Sequence, residues 1–507
     1  MEINVSSLPR EVLIHIFGYL DIRHRLIAGQ VCKEWLDATN CRFLLKDVNL
    51  LISSKNEEAV KVLPCMTRQF RCFTLHQITI DDFFIQFLKH FSEWFIFLSF
   101  IDCQVDKDYF YTNPEEKIPS CDNLQYLKIR DCDAFALFSS IPNVTTLEIL
   151  HSTGLTDRDM HELDKSMPNL ETFTLASRVA CDARAYKRFY IKGNTVENEP
   201  SDAILSFPAI RNFIAKRSGT LVSMDFSRTG LSPTAAMEIS TINNLRLHTM
   251  LFSSDLSGSR IETFCQNQPA LTSLDLSTAL NLSDEILSNI CRILVNLREL
   301  VVVFKHKIDI SIIDVFKLKH LQKLNLNFCT NISPFSFQEA ISETKTITVK
   351  LKYLNLAFTK ISDVTLRRLL SLNRDIEHLD LTFTDVSNTT LHFISKSLPR
   401  LKCLILNSCK RIYNSGLTGE HDCNSVISDC SSPETCVPLS NLKELRILDL
   451  SKNPLITSDA CAQSIQFEHL EVLKLYGCQC LDSAVGLQLL LQNPSLKEFQ
   501  LAYDLDD

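Results

Sequence analysis

The stretch Leu321-Gln-Lys-Leu324-Asn-Leu326-Asn-Phe328-Cys329 is followed by Leu351-Lys-Tyr-Leu354-Asn-Leu356-Ala-Phe358-Thr359, by Ile376-Glu-His-Leu379-Asp-Leu381-Thr-Phe383-Thr384 and by Leu401-Lys-Cys-Leu404-Ile-Leu406-Asn-Ser-Cys409. All four are one phrase, L-x-x-L-x-L-x-x-C/T, which recurs every 24–30 residues through most of the chain. Its fourth and sixth places are two apart, so on a β-strand they share a face. Leu324 and Leu326 form one such pair and should point into a core. Between phrases the text is helical, as in Ser283-Asp-Glu-Ile-Leu-Ser-Asn-Ile and Ser362-Asp-Val-Thr-Leu-Arg-Arg-Leu-Leu. The Ser or Asp at the start of each run suits an N-cap. Each repeat therefore reads as strand, turn, helix, turn, an α/β pattern.

A single compact core stops growing at roughly 250–300 residues. The 507 residues fit a repeat array, which grows in one dimension. The period and the leucine spacing are the signature of a leucine-rich-repeat solenoid, a horseshoe with a concave parallel sheet. With the last apolar residue of each phrase as marker, the repeats run from Leu50 through Leu75, Phe100, Ile129, Ile149, Leu175, Phe226 and Phe252 to Leu501, about 17 in all. The ninth-place Cys or Thr and the I-[ST]-D helix start resemble the cysteine-containing class of leucine-rich repeat. Three places break the period: Ile129 to Ile149 is short, and Leu175 to Phe226 and Leu406 to Leu450 are long. The long gaps predict insertions at about 177–200 and 415–438. Long loops inside a solenoid are disordered or functional.

The net charge of −8 and pI near 5.9 argue against nucleic acid as the main partner, because duplex binding rests on a basic surface. The chain opens Met1-Glu-Ile-Asn-Val-Ser-Ser, without the basic and apolar regions of a signal peptide. Its most apolar run, Trp94–Ile101, is too short to span a bilayer. Of the 19 cysteines, Cys103, Cys132, Cys329, Cys409 and Cys478 occupy the ninth place of the phrase, where a thiol serves as a small hydrophobe. Reduced thiols in a cytosolic or nuclear protein are expected, with no membrane and no nucleic acid as partner.

Residues 1–45 read differently from the repeats at 46–507. Pro9 and Glu11 suit a helix start, and Val12, Leu13, Ile16, Phe17 and Leu20 share one helical face. Asp21 can cap a second segment, in which Leu26, Ile27, Val31, Trp35 and Leu36 repeat the spacing. So few short helices cannot bury this apolar surface among themselves. On periodicity alone they either seal the open end of the solenoid or dock a partner. Leu8-Pro9-Arg-Glu11-Val-Leu13-Ile-His-Ile16-Phe17-Gly-Tyr-Leu20-Asp21, then Arg25-Leu26, Val31-Cys32-Lys33 and Trp35, resembles an F-box. The resemblance implies docking on the small acidic adaptor of cullin–RING ubiquitin ligases, and through it on a cullin. It names Leu8, Pro9, Leu13, Ile16, Leu20, Val31, Cys32 and Trp35 as candidate adaptor contacts, some of which must hold the helices together instead.

Within the repeats, the eighth place is aromatic four times running, at Phe304, Phe328, Phe358 and Phe383. Such rings either stack into a ladder that seals the edge or form an exposed ridge for a target. Lys323, Lys352 and Lys402, with Arg298 and Arg446, occupy the second or third place, and Asp380, with Asp275 and Asp449, the fifth. These charges are target-binding candidates or ordinary cross-strand pairs. His421, Cys423, Cys430 and Cys436 lack the paired spacing of a zinc site and read as part of a plain loop. No phosphate loop, H-E-x-x-H, G-x-S-x-G or C-x-x-C motif is present, so neither a catalytic residue, nor a metal, nor a cofactor is expected. The expected role is that of a non-catalytic substrate receptor of a cullin–RING ubiquitin ligase, leading to ubiquitination of a target protein. The alternatives are a small-molecule-gated receptor with an inserted loop as lid, and a scaffold without a turnover role.

Overall fold

The structure, a computed structural model, describes residues 8–55, 68–105, 120–132, 140–152, 155–176, 205–227, 229, 231–252, 256–343, 350–420 and 436–501. The chain forms two compact units, Met1–Ser254 and Asp255–Asp507. The first expected insertion lies outside the described residues, as does most of the second, including His421, Cys423 and Cys430.

The N-terminal unit begins with three short helices, α1 (Arg10–Gly18), α2 (Ile22–Ala28) and α3 (Lys33–Thr39). A parallel ladder follows, built from β1 (Asn49–Ser53), β2 (Cys72–His76), β4 (Phe97–Ile101), β6 (Tyr126–Arg130), β7 (Thr146–Leu150), β8 (Thr172–Ala176), β9 (Ser223–Asp225) and β10 (Thr249–Leu251). β3 (Thr79–Ile80) and β5 (Gln104–Val105) pair separately. The core of this unit is rich in phenylalanine: Phe73 meets Phe87, Phe91 and Phe95 at ring distances of 5.8, 5.5 and 5.3 Å.

The C-terminal unit is nine parallel strands in sequence order: β11 (Ser273–Asp275), β12 (Glu299–Val301), β13 (Lys323–Asn325), β14 (Tyr353–Asn355), β15 (His378–Asp380), β16 (Cys403–Ile405), β17 (Ile447–Asp449), β18 (Val472–Lys474) and β19 (Glu498–Gln500). Among the described residues the two ladders hold 17 strands, and the fold is that of leucine-rich repeats. The register follows the phrase, with Leu324 opposite Leu354 and Leu354 opposite Leu379. Leu324 and Leu326 are fully buried, as the two-residue period requires. One marker is corrected: Leu50 lies opposite Phe73, a fourth place, and Ile52 opposite Leu75 is the sixth. Val48-Asn-Leu50-Leu-Ile52 offers two overlapping apolar pairs, Val48 with Leu50 and Leu50 with Ile52, and only pairing to β2 chooses between them.

Three local devices make the repeats stackable. First, Ser283, Ser362 and Asp482 cap their helices by accepting the N–H of Ile286, Thr365 and Val485. Second, a polar residue near the helix start reaches across to the following repeat. Asp284 accepts the N–H of Ser311 at 2.9 Å, Asp309 that of Ser333 at 2.7 Å, Asp363 that of Ser387 at 2.9 Å and Asn388 that of Tyr413 at 2.9 Å. Third, the ninth-place thiol or hydroxyl donates to a buried carbonyl. Cys329 Sγ lies 3.1 Å from Val302 O and Cys409 Sγ 3.1 Å from Leu381 O, while Thr359 and Thr384 bond within their own repeats. Burial pushes the Cys329 and Cys409 thiols up to about 11, which keeps them protonated and unreactive at neutral pH.

Candidate docking surfaces

The first three helices share a small core. Leu13 and Phe17 of α1 pack with Ala28, Ala38 and Leu44, and Leu8, Ile14, Leu20 and Trp35 lean against them. Trp35 meets Phe17 edge-on with ring centroids 5.1 Å apart. Asp21 caps α2 through the His24 N–H at 2.9 Å. Arg25 ties the helices to the chain behind them: its guanidinium donates to Phe17 O, Leu20 O and Leu44 O and pairs with Asp47 at 2.8 Å. Gly29 permits the close crossing of α2 and α3, since a Cβ there would sit 2.9 Å from the Thr39 hydroxyl.

This core separates the candidate contacts. Leu13 is buried in it, and Leu8, Leu20 and Trp35 are half-buried against it, so these four hold the helices together. Cys32 is half-buried at the N-cap of α3. Pro9 is exposed, as are Ile16 (42 %) and Val31 (60 %). Beside them lie residues that the sequence did not single out as contacts. Ala28 is the one buried residue of α2, which leaves Ile22, Leu26 (55 %) and Ile27 (61 %) facing solvent, and Val12 and Tyr19 of α1 are exposed as well. An exposed apolar cluster of this density on so small a module is a candidate interaction surface. The signal was present in the sequence as apolar positions in excess of what one shared core can absorb.

Residues 5–50 match the F-box-like family model. The chain thus carries an F-box-like domain ahead of leucine-rich repeats. Among solved structures it is similar to TLR13 in the TLR13–ssRNA13 complex, at 18 % identity and a TM-score of 0.46, over 92 % of this chain and 61 % of that one. It is also similar to a chain of the Rad7 and Elc1 complex in yeast, at 19 % identity and a TM-score of 0.34 over 60 % of this chain and 86 % of that one. An internalin from Listeria monocytogenes matches at 16 % identity and a TM-score of 0.37 over 65 % and 91 %. The chain spans 61 % of the length of the TLR13 chain. The repeat fold stands on the register and burial described above.

Behind the F-box, one backbone conformation recurs at the eighth place of the phrase. It is left-handed at Gln77, Asp102, Asp131, His151, Ser408, Lys452 and Gly477, and also at Phe304, Phe328, Phe358 and Phe383, with φ of 57°, 58°, 58° and 54°. A side chain in that region costs about 1–2 kcal/mol, and a bulky one is the rarer occupant. The four rings stack in series, with centroids 4.6, 3.9 and 4.9 Å apart and interplanar angles of 15° to 21°. Their N–H groups bond the seventh-place carbonyl of the next repeat, as Phe358 does to Thr382 O at 2.8 Å. Phe328 and Phe358 are half-buried within the stack, while the end rings remain open, Phe304 at 58 % and Phe383 at 53 % exposure. The row is thus both a ladder and, at its ends, an exposed edge.

The charged candidates divide as well. Lys323 pairs with Glu299 at 3.6 Å and Lys402 with Glu377 at 2.7 Å. Asp380 is engaged within the repeats, accepting the Thr382 N–H at 2.9 Å, the Thr382 hydroxyl at 2.7 Å and an Asn355 amide N–H at 2.9 Å. Asp275 and Asp449 close the same turn through Ser277 and Ser451. Lys352 is exposed. On the same strand face the structure stacks Tyr353 on His378, centroids 4.2 Å apart, and burial lowers the His378 pKa. The phrase treats both as freely varying places, so spacing gave no sign of this pair.

Proposed function

We propose that this protein is a substrate-recognition subunit of a cullin–RING ubiquitin ligase, joined to the small acidic adaptor through its F-box and holding a target protein on its repeats. The observation that supports this reading is the division of the F-box helices into a compact core and an exposed apolar face of Ile16, Ile22, Leu26, Ile27 and Val31. Apolar side chains already fixed by a folded core lose little entropy on docking, which suits a stable subunit contact. The receptor acts by proximity: it raises the concentration of target lysines near a charged ubiquitin-conjugating enzyme, and other subunits carry out the transfer. Target degradation by the proteasome would follow, in cytosol or nucleus. Captured from cells under proteasome inhibition, the wild-type chain should bring down adaptor and cullin, and the Ile16→Asp, Val31→Asp double variant should bring down neither. Equal capture by both would overturn the proposal.

A further inference from the structure

The target surface can be specified further, given the receptor reading. We infer that the turn-side rim of the C-terminal unit, from Phe304 to Arg411, docks an acidic segment of the target that carries bulky apolar side chains.

Three observations converge on this strip. The fold does not ask for phenylalanine at the left-handed place: Ser408, Lys452 and Gly477 fill the same slot in later repeats. Four consecutive rings therefore sit where the backbone disfavours them, and the end rings Phe304 and Phe383 are more than half exposed. A second apolar column lies a few residues on in the same repeats. Ile310 follows Phe304, Phe335 follows Phe328 and Val364 follows Phe358, and all three are exposed. Between the columns the exposed charges are mainly positive, at Lys307, Lys360 and Lys410. Two carboxylates of the strip are withdrawn, since Asp309 and Asp363 turn onto the N–H groups of Ser333 and Ser387, while the exposed Asp385 is paired with Arg411 at 3.3 Å. On a chain with net charge −8 this is a local reversal of sign.

Apolar edges with cations between them match a segment in which carboxylates alternate with aromatic or branched side chains. Single-stranded nucleic acid fits less well, because it needs free ring faces for its bases, and these rings stack on one another.

The test is selection of a displayed library of random 12-residue peptides on the full-length chain, followed by binding of the enriched peptides in solution. Enriched peptides should be net negative and carry aromatic or branched apolar residues. Their affinity should fall at least tenfold for Phe304→Asn with Phe383→Asn, and again for Lys307→Glu with Lys360→Glu and Lys410→Glu, at unchanged melting temperature. Asparagine tolerates the left-handed backbone, so the first variant removes rings without unfolding the turn. Failure to enrich, enrichment of neutral or basic peptides, binding indifferent to both variants, or rim-dependent binding of a 12-residue oligothymidylate would each overturn the inference. Adaptor capture by the same variants is measured in parallel. Its loss in the wild type with peptide binding intact would sink the receptor reading alone.

Discussion

The F-box and the rim of the C-terminal unit both expose apolar side chains, and they hold them in different ways. In the F-box, Ile16, Ile27 and Val31 stand on helices held from beneath by the core of Leu13 and Phe17, with Trp35 against it. At the rim, the rings fix one another, each stacked on the next across neighbouring repeats. A face supported from below can lose its exposed residues without loss of fold. A ladder that supports itself cannot lose its middle members so freely.

Phe17→Ala should have the largest effect of all, on the F-box side. It empties the centre of a five-residue core, at a cost of about 3–5 kcal/mol. Thermal unfolding should show an early transition confined to the helices, and adaptor binding should vanish with it. Phe328→Ser with Phe358→Ser removes all three ring contacts of the ladder. Each is worth roughly 0.5–1.5 kcal/mol, and serine relieves part of the backbone cost, so a loss of about 2 kcal/mol is expected in denaturant titration. Unchanged stability with loss of a partner would show instead that the rings serve only the contact.

Asp309→Ala should cost about 1 kcal/mol, the scale of a lost cap onto the Ser333 N–H. This loss depends on pH. Burial pushes the Asp309 carboxyl up, but the Ser333 N–H and the hydroxyls of Ser336 and Ser333 more than offset it and hold it below its ordinary value of 3.8. A carboxyl depressed on folding stabilises the fold above its unfolded pKa. That contribution fades as pH falls through the folded value, so wild type and variant should converge in acid and differ fully at pH 6. Smallest of all, Phe304→Asn alone should stay within about 0.5 kcal/mol of wild type, since it trims one open end of the stack and suits the backbone.

The repeats were legible because Leu324 and Leu326 obey a period of two that burial enforces in their strand and in most others. Leu50 misled because its strand lacks a leucine at the first place, so only β2 could set its register. The phenylalanine row was visible as a spacing, but its left-handed backbone was not, because φ leaves no mark in residue order. The fifth-place aspartates were visible as charges. That Asp380 and Asp449 close their own turns emerges only when the strand ends and the chain doubles back. In the F-box, periodicity put Leu13, Ile16, Phe17 and Leu20 on one face. Which of them is covered depends on where α3 crosses α1, a tertiary fact.

The proposed adaptor contact lies on the exposed face of the F-box and not in its core. Calorimetric titration of the purified adaptor into the full-length chain tests it directly, with Ile27→Asp plus Val31→Asp compared with wild type. The double variant should bind at least a hundredfold more weakly at an unchanged melting temperature. Wild-type affinity in the double variant would contradict it.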